Sequence, residues 1–501
     1  SGVSSLFFCF FLHLAKNILK YIRKGKDKKI MYNTFRTFVK EKPVIMKYWP
    51  PLRAGSGRVP GTESRKSDTE LDKTGIHGIL YSILLHQEKN MIGLDSAGRA
   101  ELTGDPVAAR LMITGDFCPI RRIETMLLAG DVKGLFRNIA PVITSGDRCI
   151  INLEAALCRS GEPILKLGPN LRADPDIAPA LVSAGIDICC LANNHTMDYG
   201  PDGLAQTIEA LDRAGLQHTG ASVSGDRTQP LRISLSGIII SLLNTGIAEG
   251  AILPEGPGPW HLDSLDLLRA VQEEVSSGDR IVIPVIHAGR EEVVFPSPGL
   301  RRLCYALTDA GAAAVICHHP HVPQGFEIMN GRPVAYSLGN FMFDWHVPEV
   351  HTDTSFVLEL GLSSAGVSDL TVHPFFKHGS GGIQAMNDKK SEAFISFLND
   401  ISAPFDDPDM YRKLWIEQCR PQLAERYKKR LERSRNLDSA DNEKKVKAEL
   451  TFLNLMRELE HGEVLREGLI HEMMRGGKAD REARRILDTL RKRLCSFAER
   501  G

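Results

Sequence analysis

The chain has 501 residues, of which 43% are hydrophobic and 25% are charged, as in soluble globular proteins, and its length predicts roughly two to four domains. Its 62 Lys and Arg residues balance 62 Asp and Glu residues, so net charge gives no indication of nucleic acid or of an acidic polymer as a partner. The ten cysteines show no CxxC or finger-like spacing, which argues against a disulfide framework and a four-cysteine zinc site and favours a reducing compartment.

Residues 1–104 contain no clear periodic element and are interpreted as an N-terminal leader and linker. Ser4–Ala15 is apolar, but it is shorter than the ~20 residues of a membrane-spanning helix. The basic stretch Lys16–Lys29 behind it favours contact with a membrane surface. Two interpretations stay open: an ill-ordered leader on a cytoplasmic protein, or a segment that anchors the protein at the membrane.

Residues 105–377 alternate short apolar strands with helical segments, which is typical of an α/β domain. Strands are predicted at Arg110–Thr114, Cys149–Leu153, Asp187–Ala192, Arg280–Ile286 and Ala312–Ile316, and helices at Asp176–Ala184, Pro201–Ala214, Leu262–Ser276 and Pro298–Ala310. A hairpin over Leu231–Leu243 and three strands within 333–372 favour a mixed α/β sandwich over a pure Rossmann sheet. Residues 378–501 are predicted to form a helical accessory region, either a cap or an oligomerisation element.

Residues of types that commonly bind metals follow the apolar strands, at the point where each strand ends. They are Asp116, Glu154, Asn194 with His195, His287, and His319 with His321. Each one alone also fits a structural explanation, such as a turn former, a helix-start carboxylate or a buried histidine. Because ligands of α/β sheets collect at the carboxyl ends of the strands, five such ends together predict one shared pocket.

Carboxylate, amide and imidazole groups together suit Mn, Fe or Zn, whereas Mg or Ca prefers nearly all oxygen. The residues suffice for one or two divalent ions, and two ions can clamp a phosphate-like group. The chain has no Walker loop and no convincing GxGxxG, so a glycine loop that cradles a nucleotide is not indicated. It also lacks a GxSxG elbow at Ser337, which argues against a serine hydrolase.

Six blocks between Arg110 and Asp344 carry a family resemblance: LMITGD, INLE, LANNHTMDYGPDG, IHAGREE, HHPHVPQGFE and AYSLGNFMFD. In this order they resemble the CapA family of capsule synthesis, which is associated with poly-γ-glutamate and belongs to the calcineurin-like metallophosphoesterase superfamily. The resemblance implies a metallophosphoesterase-like αββα sandwich, here followed by a C-terminal helical extension.

The resemblance also implies a ligand set for two divalent ions. Asp116 would bind the first ion, Glu154 would take the position of the bridging carboxylate, and Asn194 would also be a ligand. The remaining ligands would be His287, His319 and His321. His318, which precedes the histidine pair, is expected not to be a ligand. One departure concerns the first ion: Phe117 and Cys118 follow Asp116, where the superfamily usually has a histidine.

Two further residues are expected to take part in catalysis. By resemblance, His195 would contact the substrate and protonate a leaving oxygen, and Glu291 would face the substrate. The leading functional prediction is a metal-dependent hydrolase of envelope-polymer metabolism that acts on a phosphoester or amide-type bond through a metal-activated water. Two alternatives stay open: a non-catalytic component that binds the polymer or envelope-synthesis proteins, and a soluble small-molecule phosphoesterase.

Overall fold

A computed structural model describes residues 93–225, 229–250, 256–344, 350–379, 381–422, 427–433, 436–437, 439–457, 459–475 and 479–497. The apolar segment Ser4–Ala15 and the basic stretch Lys16–Lys29 lie outside the described residues. In the described part of the chain, no helix combines the length and the apolar character needed to cross a membrane.

Nineteen strands lie within the described residues. They are β1 (Arg99–Glu101), β2 (Ala109–Cys118), β3 (Arg148–Leu153), β4 (Ala156–Leu157), β5 (Arg172–Ala173), β6 (Ile188–Cys190), β7 (Gln217–Thr219), β8 (Ala221–Ser222), β9 (Leu231–Leu235), β10 (Ile238–Gly246), β11 (Gly258–Pro259), β12 (Arg280–His287), β13 (Val315–His318), β14 (Phe326–Met329), β15 (Arg332–Ala335), β16 (Asn340–Phe343), β17 (Thr354–Ser363), β18 (Gly366–Lys377) and β19 (Ile383–Ala385).

Thirteen α-helices accompany them in the same residues. They are α1 (Arg122–Leu128), α2 (Val132–Phe136), α3 (Ala140–Ile143), α4 (Ala178–Ser183), α5 (Gly200–Ala214), α6 (Ser264–Ser276), α7 (Pro298–Asp309), α8 (Asp388–Ser402), α9 (Pro408–Gln422), α10 (Lys428–Arg433), α11 (Asn442–Arg457), α12 (Leu459–Arg475) and α13 (Arg481–Phe497). Helices α1–α3 were not predicted, because four to seven residues are too few to display a repeating apolar period.

Two large sheets form the centre of the fold. The first has the order β1-β18-β17-β2-β3-β6-β7, with β16 also paired to β2 and β19 to β18. The second has the order β14-β15-β13-β12-β10-β9. Strands β2, β3, β6 and β7 run parallel, as do β10, β12, β13 and β15, so their carboxyl ends meet at one edge of each sheet.

Side chains alternate between two cores along the first sheet, because neighbouring residues of a strand point to opposite faces. Leu111 and Ile113 join the core shared with the second sheet, whereas Met112 joins the core formed with α1–α5. Helices α6 and α7 contribute Leu267 and Leu307 to the core of the second sheet. The layers are therefore helix, sheet, sheet and helix, which confirms the expected αββα sandwich.

The helical extension is present and has two parts. Helices α8 and α13 continue the main core, where the rings of Phe394 and Phe356 lie 6.2 Å apart and those of Phe394 and Phe497 lie 5.3 Å apart. A separate small core, which includes Trp415 and Tyr427, lies among α9–α12. The boundary predicted between residues 377 and 378 stays a prediction.

Strand β2 is longer than predicted and continues through Asp116 to Cys118. It does so because β16, which was not predicted, pairs alongside it with Asn340 opposite Asp116. Gly115 permits this approach, since a Cβ there would lie 1.8 Å from the Gly339 carbonyl oxygen. The pairing holds the Asp116 backbone rigidly at the edge of the sheet.

Candidate metal centre

The predicted site residues of the two sheets meet at the carboxyl ends of their parallel strands. Asp116 lies in β2, Glu154 follows β3 and Asn194 follows β6, all in the first sheet. The second sheet supplies His287 from β12, and His319 and His321 after β13. Ligand atoms of Asp116, Glu154 and His287 all lie within 4.8 Å of one another, as do those of Glu154, His319 and His321.

The loop after β13 directs its histidines by an unusual backbone. His319 and His321 have φ angles of 99° and 60°, in the left-handed region that residues other than glycine rarely adopt. Such residues cost on the order of 1–3 kcal/mol each and persist where surrounding structure enforces them. Here the His319 amide donates to Asp116 Oδ2 at 3.2 Å, and the Glu292 amide donates to the Pro320 carbonyl at 2.9 Å.

One group of donor atoms surrounds His287. Its Nε2 lies 2.9 Å from Asn194 Oδ1, 3.0 Å from His319 Nδ1 and 3.6 Å from Glu154 Oε1. Burial lowers the pKa of His287 well below its usual value, and the charge of His319 adds to the effect, so the ring is neutral. Imidazole nitrogens, an amide oxygen and a carboxylate that face one another are a donor set for a borderline divalent ion.

A second group lies around Asp116 and His321. His321 Nδ1 is 3.4 Å from Asp116 Oδ2 and 2.9 Å from Asn340 Oδ1, and its Nε2 is 3.8 Å from Glu154 Oε1. Burial lowers the pKa of His321, but the charge of Glu154 and the hydrogen bond to Asp116 outweigh it and raise that pKa to about 10. Burial likewise opposes ionisation of Asp116, yet its hydrogen bond with His321 and the nearby histidines lower its pKa. The pair therefore carries opposite charges when no cation lies between them.

Glu154 is the group that most directly requires a ligand. Its side chain is fully buried, and neither carboxylate oxygen has a hydrogen-bond partner among the described residues. Burial and the charge of Asp116 raise its pKa well above the usual value. An unsatisfied buried carboxylate is costly, and a cation held by the surrounding nitrogens would satisfy both oxygens. The donor groups present therefore fit the expected divalent ion.

His195 lies beside this centre without belonging to either donor group. Its Nε2 is 4.0 Å from Glu154 Oε1, and its Nδ1 is 2.7 Å from Asp198 Oδ2. Burial and the charge of Lys166 lower its pKa, so the ring is neutral near pH 7. The hydrogen bond to Asp198 sets the proton on Nδ1 and leaves a lone pair on Nε2.

Glu291 is half-buried in the turn that follows β12. Its negative charge contributes to the raised pKa values of Glu154 and His321, which places it within electrostatic range of both donor groups. All eight residues predicted for the site thus surround one region, six around the donor groups and two beside them.

Sequence reasoning missed four residues that support the site. Asn152 donates to Asp116 Oδ1 at 2.8 Å, and Asn340 contacts His321. Asp198 contacts His195, and Lys166 contacts Asp198 in turn. Asn152, Asp198 and Asn340 lie inside sequence blocks that were already singled out, so their position was a usable signal. Lys166 stands alone in a loop, and no pattern in the sequence marks it.

Comparison with known proteins adds the following. Residues 110–345 match the family described as "Bacterial capsule synthesis protein PGA_cap". The "Capsule biosynthesis protein CapA" of Bacillus anthracis is 29% identical over 53% of this chain and 66% of its own length. The "Probable polyglutamine synthesis accessory protein Rv0574c" of Mycobacterium tuberculosis (strain ATCC 25618 / H37Rv) is 31% identical over 45% of this chain and 63% of its own.

The chain thus spans about two thirds of the length of these relatives. Among solved structures, TT1561 of Thermus thermophilus aligns with 12% identity and a TM-score of 0.31, over 53% of this chain and 98% of that one.

Proposed function

We propose a metal-dependent hydrolytic function for this chain, whose residues 110–345 make it a member of the bacterial capsule synthesis family of CapA-type proteins. The observation that carries the proposal is Glu154, a fully buried carboxylate without hydrogen-bond partners among the described residues. Imidazole nitrogens of His287 and His321 lie 3.6 and 3.8 Å from one of its oxygens. A purely structural carboxylate would instead be hydrogen-bonded.

The residues around Glu154 suffice for one or two ions of Mn, Fe or Zn. Asp116, Glu154 and His287 would hold one ion, and Glu154, His319 and His321 would hold the other. Asn194, whose Oδ1 lies 2.9 Å from His287 Nε2, would be a further ligand. A bound ion would act as a Lewis acid on a phosphoryl or carbonyl group and activate a water molecule for attack.

His195 is suited to move a proton during this hydrolysis. Asp198 holds the ring through Nδ1, so the free lone pair on Nε2 points into the site. The neutral ring would accept a proton at Nε2 from the water molecule as its oxygen bonds to the phosphorus or carbonyl carbon. It would then donate that proton to the leaving oxygen or nitrogen as the scissile bond breaks. Glu291, at the edge of the site, would orient the substrate.

The scissile bond is a phosphoester or an amide-type bond of an envelope polymer or its precursor. Support comes from the relatives, which are named for capsule biosynthesis and polyglutamine synthesis. Envelope-synthesis proteins are the proposed partners, and membrane contact would involve the N-terminal segment. A soluble phosphoesterase acting on small molecules is the narrower form of the same chemistry.

The test uses the full chain, freed of metal and reloaded with Mn²⁺, on an aryl phosphodiester and on poly-γ-glutamate. His195→Ala and His319→Ala should each abolish turnover of the substrate that is cleaved. His373→Ala is the control, because its ring binds Glu359 at 2.8 Å, away from the metal centre. Turnover that survives both site substitutions rejects the proposed mechanism.

A non-catalytic role in a synthesis complex is the second candidate. One observation favours it: Arg290, next to Glu291, lies against the ring of Tyr427 in the helical extension at 6.0 Å, which ties an accessory region to the site loop. The Mycobacterium tuberculosis relative is also named an accessory protein. Capture of synthesis proteins that persists in His319→Ala, with no turnover by the wild type, would favour this role.

A further inference from the structure

His318 differs from the other buried histidines of the site. It is the last residue of β13, and its side chain is 2% exposed. Its Nδ1 has no hydrogen-bond partner among the described residues, although it is fully buried. The charged group near it is Asp116, whose Oδ1 lies 3.7 Å from Nδ1.

A purely structural role would leave the Nδ1 atom of His318 unpaired among the described residues. Buried polar atoms are normally hydrogen-bonded, because leaving one unpaired costs stability. His461, an equally buried histidine in the helical extension, follows that rule and lies 2.7 Å from the Tyr427 hydroxyl. A phenylalanine or leucine would fill the place of His318 without an unpaired nitrogen.

Strand pairing aims the ring at the metal centre. His318 stands directly opposite His287 in the parallel pair of β12 and β13, so both side chains leave the same face of the sheet. That face turns toward Asp116, which reaches across from the first sheet. Three rings then face the Asp116 carboxylate: His318 and His287 each have Nδ1 3.7 Å from Oδ1, and His321 has Nδ1 3.4 Å from Oδ2.

The separation of 3.7 Å suits a shared cation. Bonds from a divalent ion to nitrogen or a carboxylate oxygen measure about 2.0–2.2 Å, so two donors on one ion lie at most about 4.2 Å apart. A direct hydrogen bond would require about 3 Å. Nδ1 is therefore too far for the hydrogen bond but within reach of a common ion.

We propose that His318 Nδ1 is an additional ligand of the cation held by Asp116. The inference rests on the proposed function, since it requires that the centre bind a divalent ion. His318 supplies the imidazole that is missing immediately after Asp116, where Phe117 and Cys118 stand. With a second imidazole, this position selects Zn, Mn or Fe over Mg.

The experiment compares wild type, His318→Leu and the control His461→Leu, each as the full chain freed of metal. Calorimetric titration with Zn²⁺ measures the number of ions and their affinities. Thermal unfolding with and without Zn²⁺ measures stability. In His318→Leu we expect one ion to bind at least about tenfold more weakly, since even partners behind a ligand contribute 10–100-fold.

Without metal, His318→Leu should be as stable as wild type or more stable, because it removes an unpaired buried nitrogen. His461→Leu should unfold at a lower temperature, since it leaves the Tyr427 hydroxyl unpaired, and should bind Zn²⁺ as wild type does. Retained affinity in His318→Leu overturns the inference and leaves the proposed function intact. A wild type that binds no divalent ion overturns the proposed function itself.

A spectroscopic measurement covers the case in which His318→Leu folds poorly. His318→Asn keeps a polar side chain at this position. In pulsed electron spin resonance, Mn²⁺ bound to this variant should show one coupled imidazole nitrogen fewer than Mn²⁺ bound to the wild type. An unchanged number of coupled nitrogens contradicts ligation by His318.

Discussion

Lys166 offers the sharpest test of how the site is held in place. Its side chain has no solvent exposure, and its ammonium lies 2.6 Å from Asp198 Oδ1 and 3.3 Å from Glu249 Oε2. It also donates to the Asn194 carbonyl at 3.1 Å. Lys166→Met keeps a side chain of similar length but leaves the fully buried Asp198 without its cation.

The expected loss is large because both partners are buried. Removing one member of a buried ion pair typically costs about 3–5 kcal/mol, since the remaining charge is uncompensated. The double substitution Lys166→Met with Asp198→Asn should cost less than the single one, because it removes the fully buried charge of Asp198 and leaves only the partly exposed Glu249 without its cation. Lys447→Met is the control: Lys447 pairs with Glu443 one turn away on an exposed helix face, and such pairs contribute about 0.3–0.5 kcal/mol.

Urea unfolding of the metal-free proteins, followed by tryptophan fluorescence, measures these differences as free energies of unfolding. Lys166→Met should be the least stable of the three variants. A Lys166→Met protein that is no less stable than Lys447→Met would show that the buried ammonium does not balance the carboxylates. A double variant as unstable as the single one would show that Asp198 is not the group that Lys166 compensates.

Three further predictions concern the donor groups. Glu154→Leu should raise the metal-free free energy of unfolding by about 1–3 kcal/mol, because it removes unpaired buried oxygens. Mn²⁺ at a concentration one hundred times its Kd should stabilise the wild type by about 2.7 kcal/mol, and Glu154→Leu should lose this stabilisation. Thermal unfolding with and without Mn²⁺ measures both effects. The pKa of His321 rises from about 6.5 to about 10 on folding. The protonated ring therefore contributes fully to the free energy of unfolding below about pH 6.5, and this contribution is lost as the pH rises through about 10. Urea unfolding across that range should show the decline in the metal-free wild type and not in His321→Asn. Asn340→Ala removes the oxygen 2.9 Å from His321 Nδ1 and should weaken metal binding 10–100-fold by calorimetry, whereas Asn399→Ala, at the Leu94 backbone, should not.

The strands that carry the candidate site were predictable from the sequence, because buried parallel strands are continuous apolar runs with an abrupt polar end. Strand β12 matches its prediction to within one residue, and the hairpin of β9 and β10 begins as predicted. Strand β13 was predicted to end at Ile316 but continues to His318. Strand β13 extends this far because it pairs with β12, in which His287 lies opposite His318. No local pattern in the sequence identifies that partner strand.

Contacts that support the site were harder to predict than the candidate ligands. Lys166 and Asp198 are 32 residues apart, and their contact depends on how a loop folds back over the first sheet. The expectation that His318 stands outside the donor set rested on its position before the histidine pair. The structure places its ring 3.7 Å from Asp116 Oδ1, which is the basis of the new inference.

The sequence by itself determined the kinds of candidate ligand and the end of each strand at which they lie, since a carboxylate, amide or imidazole follows each apolar run. Only the tertiary structure decided which atoms meet. His287 and Asn194 belong to different sheets, yet their side-chain atoms lie 2.9 Å apart. Packing of two sheets on a common core sets that distance, and a short-range pattern along the chain contains no record of it.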